Sequence, residues 1–156
     1  MVAGPIPARK HGESGLCPRA VSLNPKQEGL LTTMRILVID DEVSIREVIV
    51  DVLEAAGHTV IEAKDGFEGL KLNSATPADL IITDLFMPNM DGMTVLLQLR
   101  QQMSHAKVIT ISGGGQYGDR GFLKAAKLLG STYTLEKPFT PGELLELVER
   151  IQKEEP

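Results

Sequence analysis

The chain has 156 residues, of which 42% are hydrophobic and 24% charged, as is typical of one globular domain with a buried core. Its formal net charge is -5, and the acidic excess lies after residue 33, which argues against nucleic acid as a partner of the folded part. No apolar run reaches the roughly 18 residues of a membrane span, and the single Cys17 cannot form an internal disulfide. We therefore expect a cytoplasmic protein with no membrane partner.

The chain divides at Met34 into two parts of different character. Prolines, glycines and scattered charges interrupt residues 1–33, and no helical or strand period persists there. We interpret this segment as a flexible N-terminal extension. Residues 34–156 form one patterned domain, with no room for a second, so the sequence predicts no DNA-binding output domain.

Five short apolar runs alternate with five segments of helical spacing along the patterned part. The predicted strands are residues 35–39, 58–63, 80–84, 107–112 and 133–136. The second strand is the least apolar and suits an edge of the sheet. The apolar positions of the predicted helices lie within residues 45–56, 67–72, 93–99, 122–129 and 144–151. Asp119 is the predicted cap of the fourth helix, and a capping box of Thr140 and Glu143 marks the start of the fifth. This alternation predicts an α/β fold, a doubly wound five-stranded parallel sheet with helices on both faces.

Polar side chains stand at the ends of four predicted strands. They are Asp40 and Asp41, Asp84, Ser112 and Lys137. Because carboxyl ends of parallel strands share one edge, where open α/β sheets bind their ligands, we expect these groups to converge. Three close carboxylates repel one another unless a cation neutralises them, and oxygen ligands without His or Cys favour Mg²⁺. A carboxylate beside Mg²⁺, facing a lysine and a hydroxyl, is suited to accept a phosphoryl group.

Four motifs lie along this patterned part in one order: VIDDE at 38–42, DLFMPNMDG at 84–92, TIS at 110–112 and EKPF at 136–139. In these motifs the chain resembles the receiver domain of two-component response regulators, of the single-domain kind typified by chemotaxis regulators. The resemblance extends from Met34 to about Glu154. It implies a flavodoxin-like fold with strand order 2-1-3-4-5.

The resemblance also implies a magnesium site. Asp41 and the backbone carbonyl of Phe86 would ligate Mg²⁺ directly, Asp40 would act through water, and Asp84 would share the ion. Mg²⁺ is the one cofactor that the family implies for this chain.

For the phosphoryl group, the resemblance implies that Asp84 is the acceptor, that Ser112 bonds a phosphoryl oxygen and that Lys137 pairs with it. It implies a cis peptide bond between Lys137 and Pro138. The donor would be a histidine kinase or a histidine phosphotransfer protein. An unidentified downstream protein would bind the face formed by the fourth helix, fifth strand and fifth helix.

Two positions depart from the family pattern. Thr134 stands where many relatives have a switch aromatic, and Tyr133 should face the other side of the sheet because strand side chains alternate. We therefore expect the change on phosphorylation to lie in the loop with Gly113 to Gly115 and in the fourth helix. Phe86 follows the acceptor by two positions, and its bulk is expected to hinder the attacking water and prolong the phosphorylated state.

Other interpretations remain open at this point. Taken alone, Asp40 and Asp41 are most typical of a helix cap, but beside Asp84 and Lys137 this interpretation is the less favoured one. The glycines after Ser112 resemble a phosphate-cradling loop, although no nucleotide-binding motif is present. The alternative hypothesis from the enzyme class is a Mg²⁺-dependent phosphatase that forms an aspartyl phosphate. It would need a second acid near Asp84, and Phe86 occupies a position where such an acid commonly stands. A third reading is an interaction module that is not phosphorylated.

Overall fold

Five short strands of mainly apolar and β-branched residues form the centre of the protein. The computed structural model describes residues 32–113 and 120–154, so the predicted cap Asp119, Gly114, Gly115 and the extension before Thr32 lie outside the described residues. The strands are β1 Arg35–Ile39, β2 Thr59–Ala63, β3 Leu80–Asp84, β4 Lys107–Gly113 and β5 Tyr133–Lys137. Each lies within one residue of its predicted bounds.

All strand pairs are parallel, in the order β2-β1-β3-β4-β5. The strand order and the edge position of β2 confirm the predicted doubly wound sheet. β3 lies at its centre, paired with β1 on one side and β4 on the other, and all five of its residues are buried. The order reverses between β1 and β3, so a crevice forms at their carboxyl ends.

Five helices cover the two faces of the sheet. They are α1 Val43–Ala55, α2 Gly66–Ala75, α3 Gly92–Gln101, α4 Arg120–Leu129 and α5 Pro141–Lys153. One buried cluster joins the sheet to α1 and α5, and a second joins the opposite face to α2, α3 and α4. Alternate residues of β3 enter different clusters: Leu80 and Ile82 face α1 and α5, whereas Ile81 faces the other three helices. Among the described residues, no helix has the length and hydropathy to cross a bilayer.

Side-chain caps fix where three of these helices begin, at the same edge as the strand ends. Asp65 Oδ1 accepts from the amide of Glu68 at 2.8 Å, and Asp91 Oδ1 accepts from that of Thr94 at 2.7 Å. At α5 the predicted capping box with Thr140 is present. Helix α1 differs, because it has no side-chain cap at its N-terminus. The cap interpretation of the two acids after β1 therefore does not account for them.

Candidate functional site

Three carboxylates meet at the carboxyl edge of the sheet, in the crevice between β1 and β3. Asp40 and Asp41 follow β1, and Asp84 ends β3. One oxygen from each lies within 4.8 Å of those of the other two. Asp40 is fully buried and Asp84 is 5% exposed, whereas Asp41 is open to solvent. The sheet thus brings together the acids that the sequence predicted to converge.

Lys137 supplies the only cation that pairs with the side-chain carboxylates of these acids among the described residues. Its ammonium nitrogen lies 3.0 Å from Asp84 Oδ2 and 3.6 Å from Asp40 Oδ2. The lysine ends β5, two strands away from β3, and its long side chain spans the end of β4. The peptide bond to Pro138 is cis, as the family resemblance implied.

Backbone groups hold both buried carboxylates in place. Asp84 Oδ1 accepts a hydrogen bond from the amide of Phe86 at 3.1 Å, and Asp40 Oδ1 accepts one from the amide of Glu42 at 2.8 Å. Each acid therefore has one oxygen fixed within its own loop and its second oxygen directed toward the lysine. Sequence reasoning anticipated neither bond.

Arg46 anchors the loop after β1 from the side of α1. Its Nη1 donates to the carbonyl oxygen of Asp40 at 2.7 Å, and its Nε donates to Glu62 at 3.1 Å. The arginine lies near the start of α1, and its place in the sequence indicates only an ordinary charged residue on the helix surface. Its contact depends on β2, so no local sequence signal could have identified it.

Burial shapes the electrostatics of the site. Removal from solvent raises the pKa of the Asp40 carboxyl, and the nearby acids Asp84 and Asp41 add to the rise, although the Glu42 amide and Lys137 oppose it. For Lys137, burial favours the neutral amine, but the hydrogen bond and negative charge of Asp84, together with the charges of Asp40 and Glu42, outweigh that effect and raise the lysine pKa. Negative charge is therefore in excess at this edge.

The donor set fits a hard divalent cation. Asp40 Oδ2 is buried and has no hydrogen-bond partner among the described residues, although Lys137 lies nearby. An orphaned carboxylate oxygen in a cluster of three acids is the arrangement that Mg²⁺ satisfies, since it binds oxygen ligands and needs few of them from protein. The residues that would hold it directly are carboxylates of this cluster.

Ser112 lies at the same edge, but within the described part of the chain its hydroxyl makes no hydrogen bond to the four charged residues. It is fully buried on β4, one position beyond the residue that pairs with Asp84, and its hydroxyl has no partner among the described residues. Its neighbour Gly113 pairs with Lys137. The position of the hydroxyl is therefore compatible with the predicted contact to a phosphoryl oxygen, which remains a prediction. The same holds for the Phe86 carbonyl as a ligand.

Tyr133 and Thr134 lie on opposite faces of β5, as predicted. The Tyr133 ring packs against the cluster under α1 and α5, with the guanidinium of Arg150 5.6 Å from its centroid. Its hydroxyl donates to Glu154 at the end of α5, a bond that raises the tyrosine pKa. Tyr133 is thus held away from the face where the family's switch aromatic would lie.

The fold and this edge define a class: a flavodoxin-like α/β protein with an acidic, lysine-bridged crevice at its topological switch point. The model of the response regulator receiver domain matches residues 36–149. The chain belongs to this family. Receiver domains are signalling switches that bind Mg²⁺ through acidic residues and interact with histidine kinases or phosphotransfer proteins.

Curated relatives include two kinds of protein. The chain is 38% identical over 118 residues to the alkaline phosphatase synthesis transcriptional regulatory protein PhoP of Bacillus subtilis, covering 75% of this chain and 48% of the relative. It is 34% identical over 119 residues to a probable chemotaxis protein CheY of Rhizobium etli, covering 76% and 92%. The chain therefore spans about half the length of the transcriptional relatives and nearly all of the chemotaxis ones.

Solved structures agree with this assignment. The chemotaxis response regulator CheY4 of Vibrio cholerae superposes with a TM-score of 0.70 at 30% identity, over 77% of this chain and 99% of that one. The receiver domain of NtrX from Brucella abortus gives a TM-score of 0.71 at 29% identity, over 77% and 99%. Both likenesses extend over most of the described residues.

Proposed function

We propose that this protein is the phosphoacceptor of a two-component phosphorelay and that Asp84 receives the phosphoryl group. The observation that carries the proposal is the state of the Asp84 carboxylate. It is nearly buried, one oxygen is held by the Phe86 amide, and the other is bound to Lys137 beside two further acids. A structural aspartate at a turn has no need of this surrounding charge.

The reaction is an in-line transfer. An Asp84 oxygen attacks the phosphorus of a phosphohistidine on a kinase or phosphotransfer protein, and the nitrogen–phosphorus bond breaks. The imidazole nitrogen keeps the electron pair and takes a proton from solvent. Lys137 pairs with the charge that develops on the phosphoryl oxygens, and Ser112 donates its unpartnered hydroxyl to one of them.

Mg²⁺ bound by the acids would neutralise the transferring oxygens and lower the repulsion between them and the carboxylates. Asp41 is the exposed acid of the cluster and the one open to an entering hydrated ion. Asp40, with its free buried oxygen, would hold the ion through water, and the Phe86 carbonyl would complete the protein ligands.

The output surface is proposed to be the face of α4, β5 and α5. Tyr133 is fixed to α5 by Glu154 and Arg150, so it is not free to report on the site. Among the described side chains of α4, Ala126 alone is fully buried in the second cluster, with Leu123 and Leu129 only partly buried, and Thr134 brings no large side chain beneath the helix. Loose packing favours α4 as the element that moves when Asp84 is phosphorylated. Residues 34–156 would form this receiver unit, with residues 1–33 flanking it.

The test is chemical phosphorylation. Purified protein is incubated with acetyl phosphate, with and without Mg²⁺, and the intact mass and released phosphate are followed alongside Asp84→Asn. We expect a single phosphoryl adduct that needs Mg²⁺, decays slowly and is absent from the variant. Rapid multiple turnover would instead identify a phosphatase. An unmodified wild-type protein, also after incubation with phosphorylated kinases, would identify an interaction module that is not phosphorylated.

A further inference from the structure

Two phenylalanines join the acceptor loop to α4. The rings of Phe86, in the loop after β3, and Phe122, in the first turn of α4, lie 5.5 Å apart between centroids at an interplanar angle of 77°. This is the edge-to-face geometry that aromatic pairs prefer. Both rings are about half exposed, at 46% and 48%, and neither belongs to the two buried clusters. Their contact is therefore not a by-product of core packing.

The pair is connected to Asp84 by a hydrogen bond within the loop after β3. The amide of Phe86 donates to Asp84 Oδ1 at 3.1 Å, so the backbone that carries the first ring is bonded to the carboxylate itself. The second ring belongs to a different element, α4, which packs on the second cluster through Leu123, Ala126 and Leu129 on its other side. A shift of α4 must move the Phe122 ring, and the Phe86 ring then loses the partner that fixes its orientation.

We propose that Phe86 and Phe122 together form an aromatic cover that slows hydrolysis of the Asp84 acyl phosphate, and that Phe122 is the residue through which the position of α4 sets the lifetime of the phosphoryl group. This inference rests on the proposed function of Asp84. Phe122 acts as a positioning residue, because it holds Phe86 and is not required to touch the phosphoryl group.

Hydrolysis is the step that the cover opposes. A water oxygen attacks phosphorus in line as the bond from phosphorus to the Asp84 oxygen breaks. The carboxylate keeps that electron pair, and the water protons go to inorganic phosphate and to solvent. The nucleophile must approach from the solvent side of the acceptor. In this proposal the half-exposed Phe86 ring, two residues after Asp84, covers that side, and its ordering reduces the fraction of time in which water occupies the attacking position.

Partner binding at α4 and the lifetime of the phosphoryl group should influence each other. A partner that binds α4 with the ring pair closed would lengthen the lifetime of the phosphoryl group, and one that draws α4 away would shorten it, since coupling between two sites acts in both directions. The lifetime would thus depend on the bound partner without any contact between partner and acceptor.

The experiment is a double-mutant cycle on decay. Wild type, Phe122→Ala, Phe86→Ala and the double variant are phosphorylated with acetyl phosphate and Mg²⁺, freed of the donor, and followed by intact mass. Phe67→Ala is the matched control, because Phe67 is 60% exposed, lies on α2 and loses the same atoms. Far-ultraviolet circular dichroism checks that each variant is folded.

We expect Phe122→Ala to shorten the half-life by roughly two- to tenfold, the factor to which the contribution of one aromatic pair converts. The same substitution should have no further effect in the Phe86→Ala background, and Phe67→Ala should decay as wild type does. Equal half-lives of Phe122→Ala and wild type, or the same shortening in both backgrounds, would overturn the inference. Absence of any adduct on wild type would instead remove the proposed function, and this inference with it.

Discussion

Asp40 bears more unfavourable electrostatics than any other residue of the site. Its carboxylate is fully buried, one oxygen has no hydrogen-bond partner in the described part of the chain, and burial raises its pKa. The ionised form is therefore disfavoured in the folded protein when no divalent ion is bound. The role proposed for Asp40 at the metal site and the stability of the protein therefore oppose each other at this position.

Asp40→Asn should accordingly stabilise the protein in the absence of divalent ions. An amide keeps an oxygen to accept from the Glu42 amide but removes the buried charge, so the free energy of unfolding at neutral pH should rise by about 1 kcal/mol. Urea unfolding in a chelating buffer measures this change. Asp51→Asn, at an exposed position of α1, is the control. A loss of stability in Asp40→Asn would contradict the electrostatic account.

His58 gives the fold a dependence on pH that is separate from the site. Its Nδ1 accepts from the amide of Met34 at 3.3 Å, and burial lowers its pKa below the ordinary 6.5. The unfolded chain binds the proton more readily, so stability is complete above about pH 6.5 and falls as the pH drops through that value toward the lower folded pKa. The difference in unfolding free energy between wild type and His58→Asn should shrink over that range. A difference that is constant with pH would be contrary to this assignment.

The charged residues of the candidate site were predictable because each lies at the carboxyl end of a strand. Asp40, Asp84 and Lys137 needed only the parallel alternation to be placed at one edge. Arg46 was not predictable, because its bonds to the carbonyl of Asp40 and to Glu62 depend on how α1 crosses β2. A long flexible side chain on a helix gives no sequence signal for such a contact.

At the scale of elements, the start of α3 lies directly against the backbone of Asp84. A methyl group at Gly92 would lie 2.2 Å from the carbonyl oxygen of Asp84 and 2.8 Å from the Cα of Leu85, both backbone atoms. The Gly92 amide also donates to the Leu85 carbonyl at 2.9 Å. Glycine at this position lets the helix begin directly over the end of β3.

Gly92→Ala should therefore destabilise the protein by about 2 kcal/mol or more, because backbone atoms cannot move aside as a flexible side chain can. Gly121→Ala is the matched control: no described residue lies within 4 Å of its added methyl group, so the same change in a helix should stabilise by roughly 0.5–1 kcal/mol. Thermal unfolding of both variants measures these two changes in stability. Equal effects of the two substitutions would show that the close approach at Gly92 is unimportant.

Elements with strong local signals were predicted to within a few residues. The capping box at Thr140 marked the start of α5, and Gly57, with φ of 91°, follows the end of α1 and its cap residue Ala56. Helix α2 was predicted too short, because its buried positions are Gly66, Gly69 and Asn73, which carry no apolar period. The packing of α2 depends on the close approach of its backbone to neighbouring side chains at these positions, rather than on a stripe of hydrophobic side chains.

At the scale of the whole molecule, the sheet order places three acids and one lysine in a single crevice, and the fold must tolerate the excess charge. The order itself followed from the family motifs, not from periodicity, since alternating strands and helices are compatible with several parallel sheets. The contact between Phe86 and Phe122 could not be read from sequence, because it joins a loop and a helix that lie on different crossovers.

Mg²⁺ should stabilise the folded protein as a ligand that only the assembled crevice can bind. At a concentration 100 times the dissociation constant the gain is about 2.7 kcal/mol, so the unfolding temperature should rise with added Mg²⁺. In Asp41→Asn the rise should be much smaller, whereas in Asp91→Asn, which alters only the cap of α3, it should persist. A rise of the same size in all three proteins would place the ion elsewhere.

Locating the phosphoryl group on the chain tests the central claim most directly. The protein is phosphorylated with acetyl phosphate and Mg²⁺ and treated with borohydride, which reduces an acyl phosphate to the alcohol and so converts a phosphorylated aspartate to homoserine. Peptides are then sequenced by mass spectrometry. We predict homoserine at position 84 alone. Homoserine at position 40 or 41, or at another acid while Asp84 remains unchanged, would contradict the account.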